Sequence, residues 1–210
     1  MIKTILWDFD GVIHDSMKIK GDGFVELFKN HRKKDTEAIL KFHFKNGGMP
    51  RFDKIKYFYN QILKKDISKK EIDNLANIFS EIIKDKIFDR DNLIHDSLSF
   101  IKKKYKKYNF HIVSGSEDKE LKKLCKYFNI SKYFISINGS PTKKDILIKK
   151  LIRKYHYKKY EILFIGDAMT DYNAAKKNRI VFFGYNNIEL KKFGKYIKTF
   201  EELKLWDQKN

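Results

Sequence analysis

Apolar residues run almost unbroken from Ile2 to Phe9 and end in acids, as expected for a strand buried on both faces of a parallel sheet. From about Met17 to Phe88 the spacing becomes helical, with no convincing strand. It predicts helices near 18–31, 35–46, 51–64 and 68–86, the last opened by a Ser68/Glu71 capping box. Beyond it the chain alternates. A helix near 95–107 precedes a strand near 109–113, a helix near 117–128 and a short strand near 133–137. A helix near 142–156, a strand near 160–165, a helix near 170–178 and a strand near 180–183 follow, and Thr199 with Glu202 would cap a closing helix near 199–205. Such alternation predicts an α/β fold with a three-layer, Rossmann-like parallel sheet core, built from 1–16 and 89–210, into which an all-helical segment, 17–88, is inserted.

Composition narrows the class. Of 210 residues, 42% are apolar and 15% aromatic, enough to bury a core and too many for a disordered chain. No apolar run approaches the roughly eighteen residues of a membrane span, and the N-terminus lacks an export signature. Cys125 is the one cysteine, which excludes an internal disulfide and a cysteine metal cluster. A cytoplasmic globular protein is expected. The net charge of +19 raises a nucleic-acid-binding alternative. Only five of the 46 basic residues are Arg, however, and Lys is spread over nearly every predicted helix. Base readout and phosphate forks favour Arg, so the charge reads as solvated helix faces that steer small anions toward the surface.

In an open parallel sheet, ligands bind beyond the carboxyl ends of the strands. The first strand ends Asp8-Phe9-Asp10-Gly11-Val12, the strand at 109–113 ends Ser114-Gly115-Ser116, and the strand at 160–165 ends Gly166-Asp167, with Asp171 four residues on. Alone, an Asp-x-Asp is often a cap, a Gly-Asp a turn and a Ser-Gly nothing in particular. Together they bring four carboxylates and a hydroxyl to one rim. Two carboxylates about 4 Å apart repel by roughly 4 kcal/mol at an effective dielectric near 20. A hard divalent cation, Mg²⁺ by its all-oxygen ligand set, is the simplest neutraliser.

These segments resemble the motifs of the haloacid dehalogenase-like hydrolases. Asp8-Phe9-Asp10-Gly11-Val12, followed by Asp15-Ser16, is similar to the first motif, Ile112-Val113-Ser114-Gly115 to the second, and Gly166-Asp167-Ala168-Met169-Thr170-Asp171 to the fourth. The third motif is a Lys ahead of a helix. Lys144 is the choice and Lys143 the alternate. The resemblance spans essentially the whole chain, with 17–88 where this superfamily inserts a helical cap. Asn178-Arg179 stands where relatives usually have Ala-Gly, which puts a local turn in question.

The resemblance implies roles in phosphoryl transfer. Asp8 would be the nucleophile and form an aspartyl-phosphate, and Asp10 the general acid and base. Asp8, Asp167, the Asp10 carbonyl and Asp171 would hold Mg²⁺. Ser114, the Gly115 N–H and Lys144 would bind the phosphoryl oxygens. An acid at position 10 argues against the family's dehalogenases, phosphonate hydrolases and P-type ATPases. It leaves a phosphatase acting on a small anionic phosphorylated metabolite, or a phosphomutase of the β-phosphoglucomutase kind. Gly47-Gly48-Met49-Pro50-Arg51 resembles the substrate-specificity loop of helical caps, so Arg51 and Lys54 would face an anionic group on the leaving half, or else be solvated cations of a helix connection. His14 is either near the cap entrance or structural, the other five histidines lack ligand spacing, and Trp7 and Cys125 read as core.

Overall fold

A computed structural model of the chain describes residues 1–201 and 203. Six parallel strands form one sheet: β1 (Thr4–Trp7), β2 (Asn109–Glu117), β3 (Ser136–Ser140), β4 (Ile162–Gly166), β5 (Val181–Tyr185) and β6 (Lys195–Ile197), in the order β3-β2-β1-β4-β5-β6. β1 lies between β2 and β4, with Trp7 level with Ile112 on one side and Ile165 on the other. The chain reverses its direction of travel across the sheet at β1, which is where open α/β sheets place their ligand crevice.

Strand side chains alternate between two apolar layers, which explains their unbroken hydrophobic runs. Ile5 and Trp7 of β1, Phe110 and Ile112 of β2, and Leu163 and Ile165 of β4 pack on α5 (His95–Lys104) and α6 (Asp118–Tyr127). Leu6, Val113, Ile162 and Phe164 point to the other face, against α7 (Lys144–Tyr155) and α8 (Met169–Asn178). The result is an α/β fold of three layers.

Between β1 and β2 the chain is helical until α5, with α1 (Met17–Leu27), α2 (Lys33–Lys45), α3 (Arg51–Tyr57) and α4 (Lys69–Ile87). α1 packs on α2 and α4, and α3 on α4. Phe24, Phe28, Phe58 and Phe79 are buried at the centre, with Phe28 stacked on Phe58 at 3.7 Å. Ser68 caps α4 in the expected reciprocal box with Glu71. The helix predicted at 51–64 is α3 followed by a π-helical turn, Phe58–Leu63, that ends at Lys64 in the left-handed region.

Several boundaries move. β2 runs to Glu117 instead of stopping at 113, because Ser114-Gly115-Ser116 stays extended along the site rim. β3 begins at Ser136 and β5 ends at Tyr185, each later than predicted. β6 has three residues and no readable alternation. At the predicted closing helix, 199–201 are not helical. Phe200 instead plugs the core beside Trp7, with its N–H bonded to Asp96 Oδ1 at 3.0 Å. The rest of that helix, with Glu202, lies outside the described residues apart from Leu203. Asn178-Arg179 keeps the turn after α8, with Arg179 at φ +57° where a glycine would be unstrained. Among the described residues no helix is long and apolar enough to cross a membrane.

Candidate active site

The carboxyl edge of β1, β2 and β4 gathers the acids predicted from the strand ends. Asp8 directly follows β1, and its N–H bonds Ile165 O of β4 at 2.9 Å. Gly11 turns the chain at φ +77°, and a Cβ there would lie 2.1 Å from Asp167 Oδ2. Only glycine lets this turn and that carboxylate coexist. Asp8, Asp167 and Asp171 each offer an oxygen within 4.8 Å of the others.

One buried cation stands among them. Lys144 Nζ, from the first turn of α7, lies 2.8 Å from Asp8 Oδ2 and 2.6 Å from Asp171 Oδ1. Lys143 is exposed, so Lys144 is the lysine at the site. Burial and then the Asp171 carboxylate push the Asp8 carboxyl up to about 8, against the pull of Lys144. Burial and then Asp8 push Asp167 well above the carboxylate range. Burial alone would lower the Lys144 ammonium, yet Asp171 and Asp8 hold it well above its ordinary value.

Two buried carboxylates and the half-buried Asp167 therefore surround one ammonium, and the Asp167 Oδ1 atom is covered without a hydrogen-bond partner. That orphaned hard oxygen beside Asp8 is a fit for a divalent cation such as Mg²⁺. Asp171 is differently placed. Its oxygens already accept from Lys144 Nζ and from the Ala168 N–H at 3.1 Å, so it orients the lysine and the loop ahead of α8.

Three donors hold Asp10, one of them from the helical segment. Ser16 Oγ and Lys20 Nζ reach Oδ1, each at 2.5 Å, and Ser116 Oγ reaches Oδ2 at 2.5 Å. Burial would raise its pKa, but the Lys20 ammonium and the hydroxyls of Ser116 and Ser16 hold it well below the usual carboxylate range. Ser114 is fully buried beneath, accepting from the Ser116 N–H at 3.1 Å. The loop 47–50 lies directly on this rim. Thr170 Oγ1 donates to Gly47 O at 2.7 Å, and a Cβ on Gly115 would meet Gly48 O at 2.1 Å.

Arg51 and Lys54 both reach the site. With Asp10, Lys20, Phe24 and His43 they line a small cavity of about 30 Å³. Arg51 is not the free cation expected from the sequence, because it is ion-paired with Glu120 of α6. Lys54 Nζ lies 2.9 Å from His43 Nδ1, and burial, then Lys20, push its ammonium down to about 7. His14 is buried between the rings of Phe9 and Phe128, a structural position away from the cavity.

Lys20, Ser116, Glu120 and Thr170 were not assigned roles from the sequence. Ser116 and Thr170 lie inside quoted segments, and Ser16 directly precedes the first helix. Nothing separates Lys20 from the many other lysines until α1 folds over the sheet.

A family model for haloacid dehalogenase-like hydrolases matches residues 2–178. No curated protein matches the sequence. Among solved structures, β-phosphoglucomutase from Clostridium difficile is 18% identical with a TM-score of 0.74, over 98% of this chain and 94% of that one. A protein described as a predicted phosphatase from Clostridium acetobutylicum is 19% identical, TM-score 0.75, over 96% of each chain. CbbY from Rhodobacter sphaeroides, solved with phosphate, is 15% identical, TM-score 0.73, over 97% and 96%.

Proposed function

The chain belongs to the haloacid dehalogenase-like hydrolases, and we propose that it is a Mg²⁺-dependent phosphatase acting on a small phosphate monoester. The observation that carries this reading is the cluster of Asp8, Asp167 and Asp171 around Lys144 at the carboxyl ends of the central strands. We assign 1–16 and 89–210 to the catalytic core and 17–88 to a cap over that edge. The cavity between them lies beside Asp10, where a leaving group would sit.

Asp8 attacks phosphorus, and a bond from its carboxylate oxygen to phosphorus forms as the bond to the leaving oxygen breaks. Lys144, the Ser114 hydroxyl and the Gly115 N–H carry the charge of the transferring group. Asp8, Asp167 and the Asp10 carbonyl would hold Mg²⁺, with Asp171 supporting them through Lys144. When bound, the ion shields the carboxylates from one another and offsets phosphoryl charge. Asp10 gives a proton to the leaving oxygen, then takes one from the water that attacks phosphorus and frees Asp8. Held by Lys20 it is ionised, the state needed for the second half-reaction. In the first, Lys20 must release it so that it can carry a proton.

A phosphomutase is the second reading, favoured by Asp10 and by the full-length likeness to a β-phosphoglucomutase fold. A panel of small phosphate esters, assayed with Mg²⁺ and with chelator, separates the two. Free phosphate released in proportion to ester consumed supports the phosphatase. Isomer accumulating only when a bisphosphate is present supports the mutase.

A further inference from the structure

We infer that Glu120 sets substrate choice by neutralising Arg51 in the leaving-group pocket, so that the site prefers phosphate monoesters whose leaving half is uncharged. This rests on the phosphatase reading above.

Arg51 opens α3 at the end of the loop that lies on the rim, and it lines the cavity next to Asp10. An unpaired guanidinium there would attract a carboxylate or second phosphate on the leaving half. Its charge is already met. One terminal nitrogen of Arg51 pairs with Glu120 Oε1, and the other donates to Ser80 Oγ at 2.5 Å. Ser80 Oγ in turn donates to Glu120 Oε2 at 3.0 Å, which closes a three-membered ring of contacts joining α3, α4 and α6. The guanidinium also lies 4.9 Å from the Phe79 ring centroid. Arg51 and Glu120 are 6% and 9% exposed, so water screens the pair only weakly.

An anionic leaving group brought to Arg51 would meet the Glu120 carboxylate with it. Displacing Glu120 would strand a buried charge beside Ser80, a strongly unfavourable exchange. A hydroxyl-bearing leaving group needs no such exchange. Arg51 borders both the inner cavity and an outer groove of about 790 Å³, which is also lined by Ser80, Glu120, Asp73, Asn77, Lys84 and Lys123.

The test compares kcat/KM for glycerol 1-phosphate and 3-phosphoglycerate, which differ by a hydroxymethyl group against a carboxylate. Wild type should favour glycerol 1-phosphate. Glu120→Gln keeps the shape and the bond from Ser80 but frees the Arg51 charge, and should shift the ratio at least about tenfold toward 3-phosphoglycerate. Arg51→Met combined with Glu120→Gln should abolish that shift. An unchanged ratio in Glu120→Gln, or the same shift in the double variant, overturns the proposal while leaving the phosphatase reading intact. If Glu120→Gln does not fold, judged by its thermal transition, wild type decides, and a preference for 3-phosphoglycerate overturns the proposal. Absence of hydrolysis of either ester by wild type with Mg²⁺ overturns the proposal, and the wider panel of phosphate esters decides the phosphatase reading separately.

Discussion

Gly115→Ala isolates closure of the helical segment from the chemistry beneath it. The added methyl would sit 2.1 Å from Gly48 O and 2.8 Å from its carbonyl carbon, and both are backbone atoms that no rotamer change can move. Ordinary contact begins near 3.4 Å, so the loop carrying Gly48 must withdraw by about 1.3 Å. The Gly115 N–H survives the substitution, and its backbone lies outside the left-handed region, so binding of the phosphoryl group and folding of β2 are preserved. Withdrawal of the loop also breaks the contact from Thr170 Oγ1 to Gly47 O and shifts Arg51 and Lys54 away from Asp10. A displacement of about 1 Å at a reacting centre costs on the order of a hundredfold. We expect kcat/KM for a small phosphate ester to fall by about that factor, with the thermal transition within a few degrees of wild type. Phosphate release at the wild-type rate would refute the requirement for a closed loop.

Mg²⁺ should raise the melting temperature of wild type, by about 5–10 °C at a hundredfold excess over its dissociation constant. Asp167→Asn should lose most of that shift and, in chelator, melt above wild type because one crowded carboxylate is gone; differential scanning fluorimetry reads both. His111 is buried, bonds Ser136 Oγ at 2.8 Å and Tyr157 OH at 2.9 Å, and burial pushes its pKa down to about 4. A lowered histidine pKa contributes stability that is full above about 6.5 and lost as pH falls toward 4. Denaturant titrations of wild type and His111→Gln should therefore differ most at pH 8 and converge below pH 5, and a constant gap would contradict this. Burial raises the Cys125 thiol to about 12, so an aromatic disulfide reagent at pH 8 should label unfolded but not native protein.

Much of the site was legible because strand ends concentrate it. Asp8, Ser114 and Asp167 follow directly from unbroken apolar runs, and a parallel sheet brings such ends together whatever its exact register. Lys144, with Lys143 as the alternate, and the loop at 47–51 were reached through their resemblance to family motifs. Lys20 and Glu120 were not, because both are charges on amphipathic helices otherwise facing solvent. Only docking of the helical segment buries them against Asp10 and Arg51. The same limit explains Arg51, whose type and position were recognised but whose partner lies on α6, 69 residues away. β6 and the Phe200 plug escaped notice for a different reason. Short segments carry too little periodicity to distinguish from loop.

The central claim is that Asp8 is the nucleophile of a phosphatase, and Asp8→Asn tests it most directly. The change preserves shape and removes the attacking charge from a site where that charge is crowded, so the variant should fold and melt no lower than wild type. Release of inorganic phosphate from the best ester in a Mg²⁺-containing assay should fall to the level without enzyme. Turnover by Asp8→Asn at a rate comparable to wild type would contradict the account.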